Sequence, residues 1–503
     1  MSSDQRAPST IRIWSLNYHE VTQDPRVLKQ ARVLRKHGFN VRVLCDAPAG
    51  LPLTDKVNGI DITRFDWSNF ASLQPTDVKL FDFLKKSKSI VLPMFEPLVG
   101  EAERLRSFEQ VPMDAQIFLE DTRLHKSYYQ NARGLARDKL KKSYRLARIG
   151  LLFQALTKAG ARHAYRILKS RDRIQDEAKG LFRDLHQARA LVFAANALRV
   201  ETVERPDVIH AHDIFTLVAG VLLAKKFNCR LIYDAHELET ARATNVGPLG
   251  ADFVDAFERD CLAHVDALIT VSKSIGDIYA ERCPKRRPVI VMNAPEIAVE
   301  QDDGSDLPNI RQMAGLDEKT PLLVFTGGIQ RGHRGVDKVL EALQYLPDVH
   351  LATMGPRHEK NDAWFRLASE QLGVSERVHM LDSVDARQVV PTISSANVSV
   401  IPFQAVSLNH EYAMPNKLFE AAFAKVPLAV SELTEMKRFV EELGIGRVMD
   451  QRNPKDIAEV IKHILNNPEQ YTGAHNISTV LQEEYSWAAQ AKKLIALYNE
   501  LLS

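Results

Sequence analysis

The stretch "DVIHAHDIFTLVAGVLLAKKFNCRLIYDAHELE" (residues 207–239) decides the fold. "DVIHAHD" is a short apolar run of strand length. "FTLVAGVLLAKKF" then reads as a helix, and "RLIYDAHE" as a second strand. Strand, helix, strand at this spacing implies two parallel strands joined by a crossover. The pattern also stands at the amino end. There, "TIRIWSL" (10–16) precedes the helix-spaced "RVLKQARVLRKHGF" (26–39), which ends at Gly38, and the alternating "NVRVLCD" (40–46) follows. "ALITVS" (267–272), reached through a helix up to Phe257, adds another strand.

A second series begins after "VIVMNAPE" (289–296) and the polar linker "VEQDDGSDLPN" (299–309). "PLLVFTGG", "VHLATMG", "RVHMLD", "VSVIPF" and "PLAVSE" read as its strands, with "GVDKVLEALQYL" a helix between the first two. "SWAAQAKKLIALYNELL" closes the chain as a helix. The expectation is α/β, with two doubly wound domains in series and ligands in the cleft between their strand carboxyl ends. Residues 1–300 form the first domain and 301–484 the second. Residues 485–503 form a terminal helix packing back on the first. Residues 77–203 are helical in pattern and more than one crossover needs, so they read as an insertion in the first domain.

At 503 residues the chain exceeds one ordinary core. Its net charge is only +2, but residues 126–173 hold fourteen Lys or Arg against two Asp, Asp138 and Asp172. Four scattered cysteines without a CxxC argue against a disulfide framework or zinc site and fit a reducing compartment. The polar start "MSSDQRAPST" has no apolar leader core, and no run reaches the ~18 apolar residues of a membrane span. A cytoplasmic location is expected, with peripheral attachment to the inner face of the membrane left open.

Polar residues crowd the start of "NHEYAMPNKLFEAAFAKVP" (409–427), where a buried helix favours apolar ones. Pro415 suits the first helical position. A helix tip offers unpaired N–H groups and about half a positive charge, an anion site. Asn416, Lys417 and Leu418 form that tip, and Lys417 strengthens the field. Glu420 shares a face with Asn416 and suits the two hydroxyls of a ribose. A capped helix with solvated side chains is the plain alternative.

"TGGIQRGHRGVDKVLEAL" (326–343) is a second phosphate candidate. Its glycines, Gly328 among them, let backbone approach a ligand. Arg331 and Arg334 offer planar charged forks to a diphosphate. Gly355 in "ATMGP", and His379 with Leu381 in "RVHMLDSV", mark strand ends that suit a nucleobase. In the first domain, His210, His212 and Asp213 end one strand, and Asp234, His236 and Glu237 end the next. Asp24 and Arg26 precede the first helix, where Asp24 alone reads as a cap. An HxH pair on one strand face suits a metal, but no third and fourth ligand stands nearby in sequence, so no metal is assigned.

In this order, "DPRVLKQARVLRKHGFNVRVL", "DVIHAHDIFTLVAGVLLAKKF", "LIYDAHELE", "ALITVSKSI", "VIVMNAPE" and "PNKLFEAAFAKVPLAVSE" resemble the retaining nucleotide-sugar glycosyltransferases of the GT-B architecture, family 4 type (glycosyl transferases group 1). The resemblance spans residues 10–50 and 200–503, and the insertion carries no motif of that family. It implies two Rossmann-like domains facing a cleft, with the donor on the C-terminal domain and the acceptor on the N-terminal one. It implies transfer of a sugar from a nucleotide diphosphate sugar to an acceptor hydroxyl, with no metal or other cofactor. Glu420 matches the ribose carboxylate, Arg334 the basic residue on the diphosphate, and His212 the histidine near the transferred sugar.

Gly328, Arg331, Gly355, His379, Leu381, Glu411, Asn416 and Leu418 join Arg334, Lys417 and Glu420 as expected donor contacts. Asp24, Arg26, His236 and Glu237 are expected on the acceptor, with Asp213 catalytic beside His212. One departure stands out. The family pattern puts a sugar-binding Glu eight residues before Glu420, where this chain has Tyr412. Either Glu411 serves by a loop shift, or Asn416 and Lys417 take that role.

Within the insertion, Lys158, Arg162, Arg166, Lys169 and Arg173 recur at helical steps and form a basic stripe. Such a stripe reads as a face for anionic membrane or as a solvated surface. Nucleic acid is not expected, because aromatic stacking motifs are absent. A glycan or lipid-linked glycan acceptor in cell-surface polysaccharide synthesis fits this picture. A sugar-nucleotide epimerase of the same two-domain architecture, or a non-catalytic nucleotide-sugar-binding protein, stands as the alternative.

Overall fold

The computed structural model describes residues 10–47, 50–65, 193–194, 197–198, 200, 204–241, 258–296, 308–471, 473 and 476–503. The expected insertion (77–203, including the basic stretch 126–173) lies outside the described residues, apart from 193–194, 197–198 and 200. The helix expected up to Phe257 lies outside them too. The chain forms two compact units. One comprises Met1–Thr240, Thr244–Leu268 and Leu501–Ser503; the other, Ala241–Ala243 and Ile269–Glu500.

The first sheet has eight strands: β1 (Arg12–Leu16), β2 (Asn40–Asp46), β3 (Thr54–Val57), β4 (Ile60–Phe65), β5 (Val208–His212), β6 (Arg230–Ala235), β7 (Ala267–Thr270) and β8 (Val289–Ile290). Their order is β3-β4-β2-β1-β5-β6-β7-β8. β1 pairs in parallel with both β2 and β5, so the strand order reverses between β1 and β5. Ligands gather at such a switch point. Helix α1 (Pro25–Lys36) follows β1, and α2 (Asp213–Phe227) joins β5 to β6. Ile13, Leu16, Val43, Ile209 and Leu231 are fully buried between the layers. Gly220 of α2 is required by close packing, since a Cβ there would lie 2.8 Å from Leu231 Cδ1.

The β3–β4 hairpin is absent from the sequence reading. Its two-residue turn, Asn58-Gly59, has φ of 51° and 80°, the left-handed pair that suits a tight hairpin. "VNGI" carries that signal openly.

The second sheet is wholly parallel: β9 (Leu322–Thr326), β10 (His350–Met354), β11 (Val378–Leu381), β12 (Val398–Ile401), β13 (Leu428–Ser431) and β14 (Gly446–Met449). The order β11-β10-β9-β12-β13-β14 reverses between β9 and β12. Helix α3 (Val336–Ala342) follows β9. Helices α4 (Asn416–Phe423) and α5 (Thr434–Leu443) flank β13, and α6 (Trp487–Leu502) closes the chain. Pro415 is not the first helical residue as expected. Its ψ of 148° is extended, so it is the cap and Asn416 opens α4. Among the described residues no helix is long and apolar enough to cross a membrane.

Candidate active site

Each switch point carries a cluster of polar groups. In the first unit the cluster centres on Asp234, fully buried at the end of β6. Arg26 donates to it from Nη2 (2.8 Å) and Nε (3.1 Å), and Gln30 Nε2 donates at 2.7 Å. His210 and His212 share one strand face and stack at 4.2 Å. His212 Nε2 lies 3.0 Å from Ser15 Oγ on β1, and its Nδ1 lies 3.1 Å from His236 Nε2. His236 Nδ1 reaches Asp213 Oδ2 at 3.3 Å.

Charges alternate along this chain. Burial opposes the Asp234 carboxylate, but Arg26, with His236 next, holds its pKa well below the usual range. Burial also opposes a charged His236, yet Asp213 and Asp234 raise it to about 10. His212 is pushed the other way, to about 3, by burial and then by His210. A charged His236 donates from both nitrogens, so His212 accepts on Nδ1 and keeps its proton on Nε2, facing Ser15. The exposed members are Asp213 (25% of its side chain) and His236 (14%). Asp213 has φ +59 at the first position of α2, a left-handed conformation that Asp tolerates better than most residues.

The expected acceptor residues divide accordingly. His236 and Asp213 are brought together at the rim, and half-buried Glu237 follows on the same loop. Arg26 is 3% exposed, and its guanidinium is committed to Asp234. Asp24 caps α1, accepting from the N–H groups of Arg26 and Val27. His212 is 1% exposed and stands behind the rim pair. His210, His212 and Asp234 bring ligand-type atoms within 4.8 Å of one another. However, three hydrogen bonds already serve Asp234, two of them from the Arg26 guanidinium, an unfavourable setting for a cation.

In the second unit, glycines clear the crevice between β9 and β12. Gly327 has φ +108, and a Cβ there would lie 3.2 Å from Lys417 Nζ. A Cβ on Gly355 would lie 2.4 Å from the carbonyl carbon of Gly327. Lys417 is 6% exposed; its Nζ lies 3.8 Å from the Phe325 ring centroid and 4.9 Å from that of Phe403. Arg334 Cζ lies over the Phe403 ring as well, 5.0 Å from its centroid. Neither Lys417 Nζ nor Arg334 Nε has a hydrogen-bond partner. Burial, then Arg334, drives Lys417 well below an ordinary amine pKa, with Glu420 opposing. Glu420 Oε2 accepts from Thr326 Oγ1 at 3.0 Å.

Other expected donor residues are placed as follows. Asn416 is exposed at the tip of α4, whereas the Leu418 side chain is fully buried and its backbone N–H donates to Pro415 O at 2.9 Å, so Leu418 offers a ligand no free group. Gly328 has room for a Cβ, with Pro356 O at 3.6 Å. Arg331 is exposed over the Trp364 ring. Leu381 ends β11. The His379 ring pairs with His350, the first residue of β10, at 2.9 Å between nitrogens, so it is turned from the carboxyl end. Glu411 is committed elsewhere: its Oε1 accepts from Thr434 N (3.0 Å) and Oγ1 (2.6 Å), capping α5. Sequence reasoning missed His333 and His410, whose rings meet at 5.1 Å and whose pKa values burial, with Arg334 next to them, lowers. Both lie inside the two loops already singled out.

Two α/β units, each with a topological switch point in its sheet, have the GT-B fold. Residues 306–479 match the family described as glycosyl transferases group 1, and residues 144–294 match the glycosyl transferase 4-like domain. The chain belongs to the group 1 glycosyltransferases of family 4 type, and it is a transferase of glycosyl groups. The second match begins inside residues 77–203, so the family pattern reaches into the region read as an insertion.

Among relatives, the alpha-maltose-1-phosphate synthase of Mycolicibacterium smegmatis is 24% identical over 333 residues, which are 62% of this chain and 83% of that protein. Sucrose-phosphate synthase from Thermosynechococcus elongatus matches 98% of this chain and 99% of its own, with TM-score 0.61 and 14% identity. HepE from Anabaena, solved in complex with UDP, matches 62% of this chain and 82% of its own, with TM-score 0.50 and 13% identity.

Proposed function

We propose that the protein moves a sugar from a nucleotide diphosphate sugar to an acceptor hydroxyl, with retention at the anomeric carbon. The observation that carries this reading is a pair of unpartnered nitrogen donors, Nζ of buried Lys417 and Nε of half-buried Arg334, at the β9–β12 switch point beside the tip of α4. A site with two such donors lacks acceptor oxygens, and a diphosphate supplies them. Glu420, one turn along α4, takes the ribose. The complex of HepE with UDP supports the donor class.

In the reaction the bond from anomeric carbon to phosphate oxygen breaks, and its electron pair leaves with the diphosphate. Arg334, Lys417 and the α4 tip stabilise that charge in a water-poor corner. The acceptor oxygen attacks the same face, and its proton passes to the departing phosphate oxygen. Asp213 and His236 orient the acceptor hydroxyl in the first unit, with His212 and Arg26 holding them in place through Asp234. No metal or other cofactor enters this scheme.

A panel of nucleotide sugars, read by mass spectrometry for binding and slow hydrolysis, tests it. One donor class is expected to bind and be cleaved. Glu420→Ala should weaken that donor roughly 10- to 100-fold, as expected for bonds to a charged group. Failure of every donor to bind, or unchanged donor affinity and turnover in Glu420→Ala, would count against the assignment.

The acceptor on this reading is a glycan or lipid-linked glycan of cell-surface polysaccharide synthesis, met at the cytoplasmic face of the membrane. The fourteen basic residues of 126–173 support attachment there. Vesicles containing anionic lipid should retain the protein at low salt and release it at high salt. Equal recovery on neutral vesicles would remove the electrostatic attachment.

A further inference from the structure

Lys417 is buried on aromatic faces, with no oxygen in hydrogen-bond reach of its amine. The charged and titratable groups around it are few. Arg334 and His333 come from the loop before α3, and His410 from the loop before α4. Glu420 stands one turn along α4, with one oxygen held by Thr326 Oγ1 at 3.0 Å. Three of these four groups are basic. An ammonium here loses its water, gains only ring faces in return, and meets a guanidinium that repels it. A neutral amine loses far less, so the empty site favours the uncharged form. Arrival of a diphosphate reverses the balance, because it brings negative charge and oxygen acceptors together.

We propose that Lys417 takes up a proton as the nucleotide diphosphate binds, so that the donor itself loads the cation that later stabilises it as a leaving group. This rests on the donor reading of the site. The proton comes from solvent and returns to it when the free diphosphate departs. The direction of the Lys417 shift, set first by burial and then by Arg334, agrees with the geometry. The amine lies against Gly327 with no hydrogen bond to a protein oxygen that a ligand would have to displace.

Calorimetry with UDP, GDP and ADP decides this, at about pH 8.5, where a nucleotide's own phosphates are already ionised. Each titration is run in two buffers of different protonation enthalpy. The expected result for wild type is an uptake approaching one proton per nucleotide bound, and affinity that falls up to about tenfold per pH unit above that pH. In Lys417→Arg, whose side chain stays charged, uptake should vanish and affinity should become flat with pH.

Uptake that persists in Lys417→Arg would assign the proton to His333 or His410 and overturn the proposal. Binding heats that are equal in both buffers, with pH-independent affinity in wild type, would overturn it while leaving the donor site in place. Absence of any nucleotide binding would overturn the donor reading and the proposal with it. If Lys417→Arg folds poorly, His333→Gln and His410→Gln take its place: uptake that survives in both keeps the proton on Lys417, and uptake lost in either overturns the proposal.

Discussion

Replacing Lys417 with Met should lower kcat/KM by roughly a hundred- to a thousandfold, the usual effect of removing one preorganised donor to a developing oxyanion. The same substitution should leave the melting temperature unchanged or raise it. The two halves of this expectation have one cause. In the free protein the Lys417 amine is buried with no hydrogen-bond partner, so it costs stability. Met fills similar volume between Phe325 and Phe403 without a polar atom. In the proposed reaction that amine meets the leaving diphosphate. Steady-state kinetics with the donor found by the panel, beside a thermal melt, checks both. Activity within about threefold of wild type would contradict the role, and a large fall in melting temperature would show Lys417 to be structural.

Asp234→Asn should destabilise the first unit by about 3–5 kcal/mol, because it strands the buried Arg26 guanidinium without its counter-charge. For a unit of this size that corresponds to a fall on the order of 10 °C in melting temperature. Arg26→Leu combined with Asp234→Asn should recover part of the loss, since no unpaired charge then remains buried. A single Asp234→Asn variant that melts with wild type would mean that the pair does not organise the cluster. Activity should fall as well, because Asp234 supports the charge of His236, and through it the contact with Asp213.

Much of this fold is legible in the sequence. The apolar run through residues 207–239 becomes β5, α2 and β6, and "NVRVLCD" becomes β2 over Asn40–Asp46. Periodicity succeeds there because burial on a sheet face acts locally. The β3–β4 hairpin was legible too, from Asn58-Gly59, but it escapes a search for crossovers.

The candidate site is less legible. Asp24 caps α1, which its place just before the helix announced; Arg26, His212 and Glu411 have the chemistry of ligand-facing residues. Their partners lie elsewhere: Arg26 on Asp234 across 208 positions, and Glu411 on Thr434 across 23. No local spacing announces such pairings. The helix-tip argument at Lys417 had a local reason: a charged residue at the start of an otherwise apolar helix. Its burial against Phe325 and Phe403 came only with the sheet, since β9 and β12 are neighbours in space and remote in sequence.

The most direct test is a crystal structure with the nucleotide diphosphate of the donor that the panel selects. The account expects diphosphate oxygens within hydrogen-bond distance of both Lys417 Nζ and Arg334, with the ribose hydroxyls on Glu420. A diphosphate bound elsewhere, with Lys417 Nζ still lying over Phe325 and without a polar partner, would contradict it.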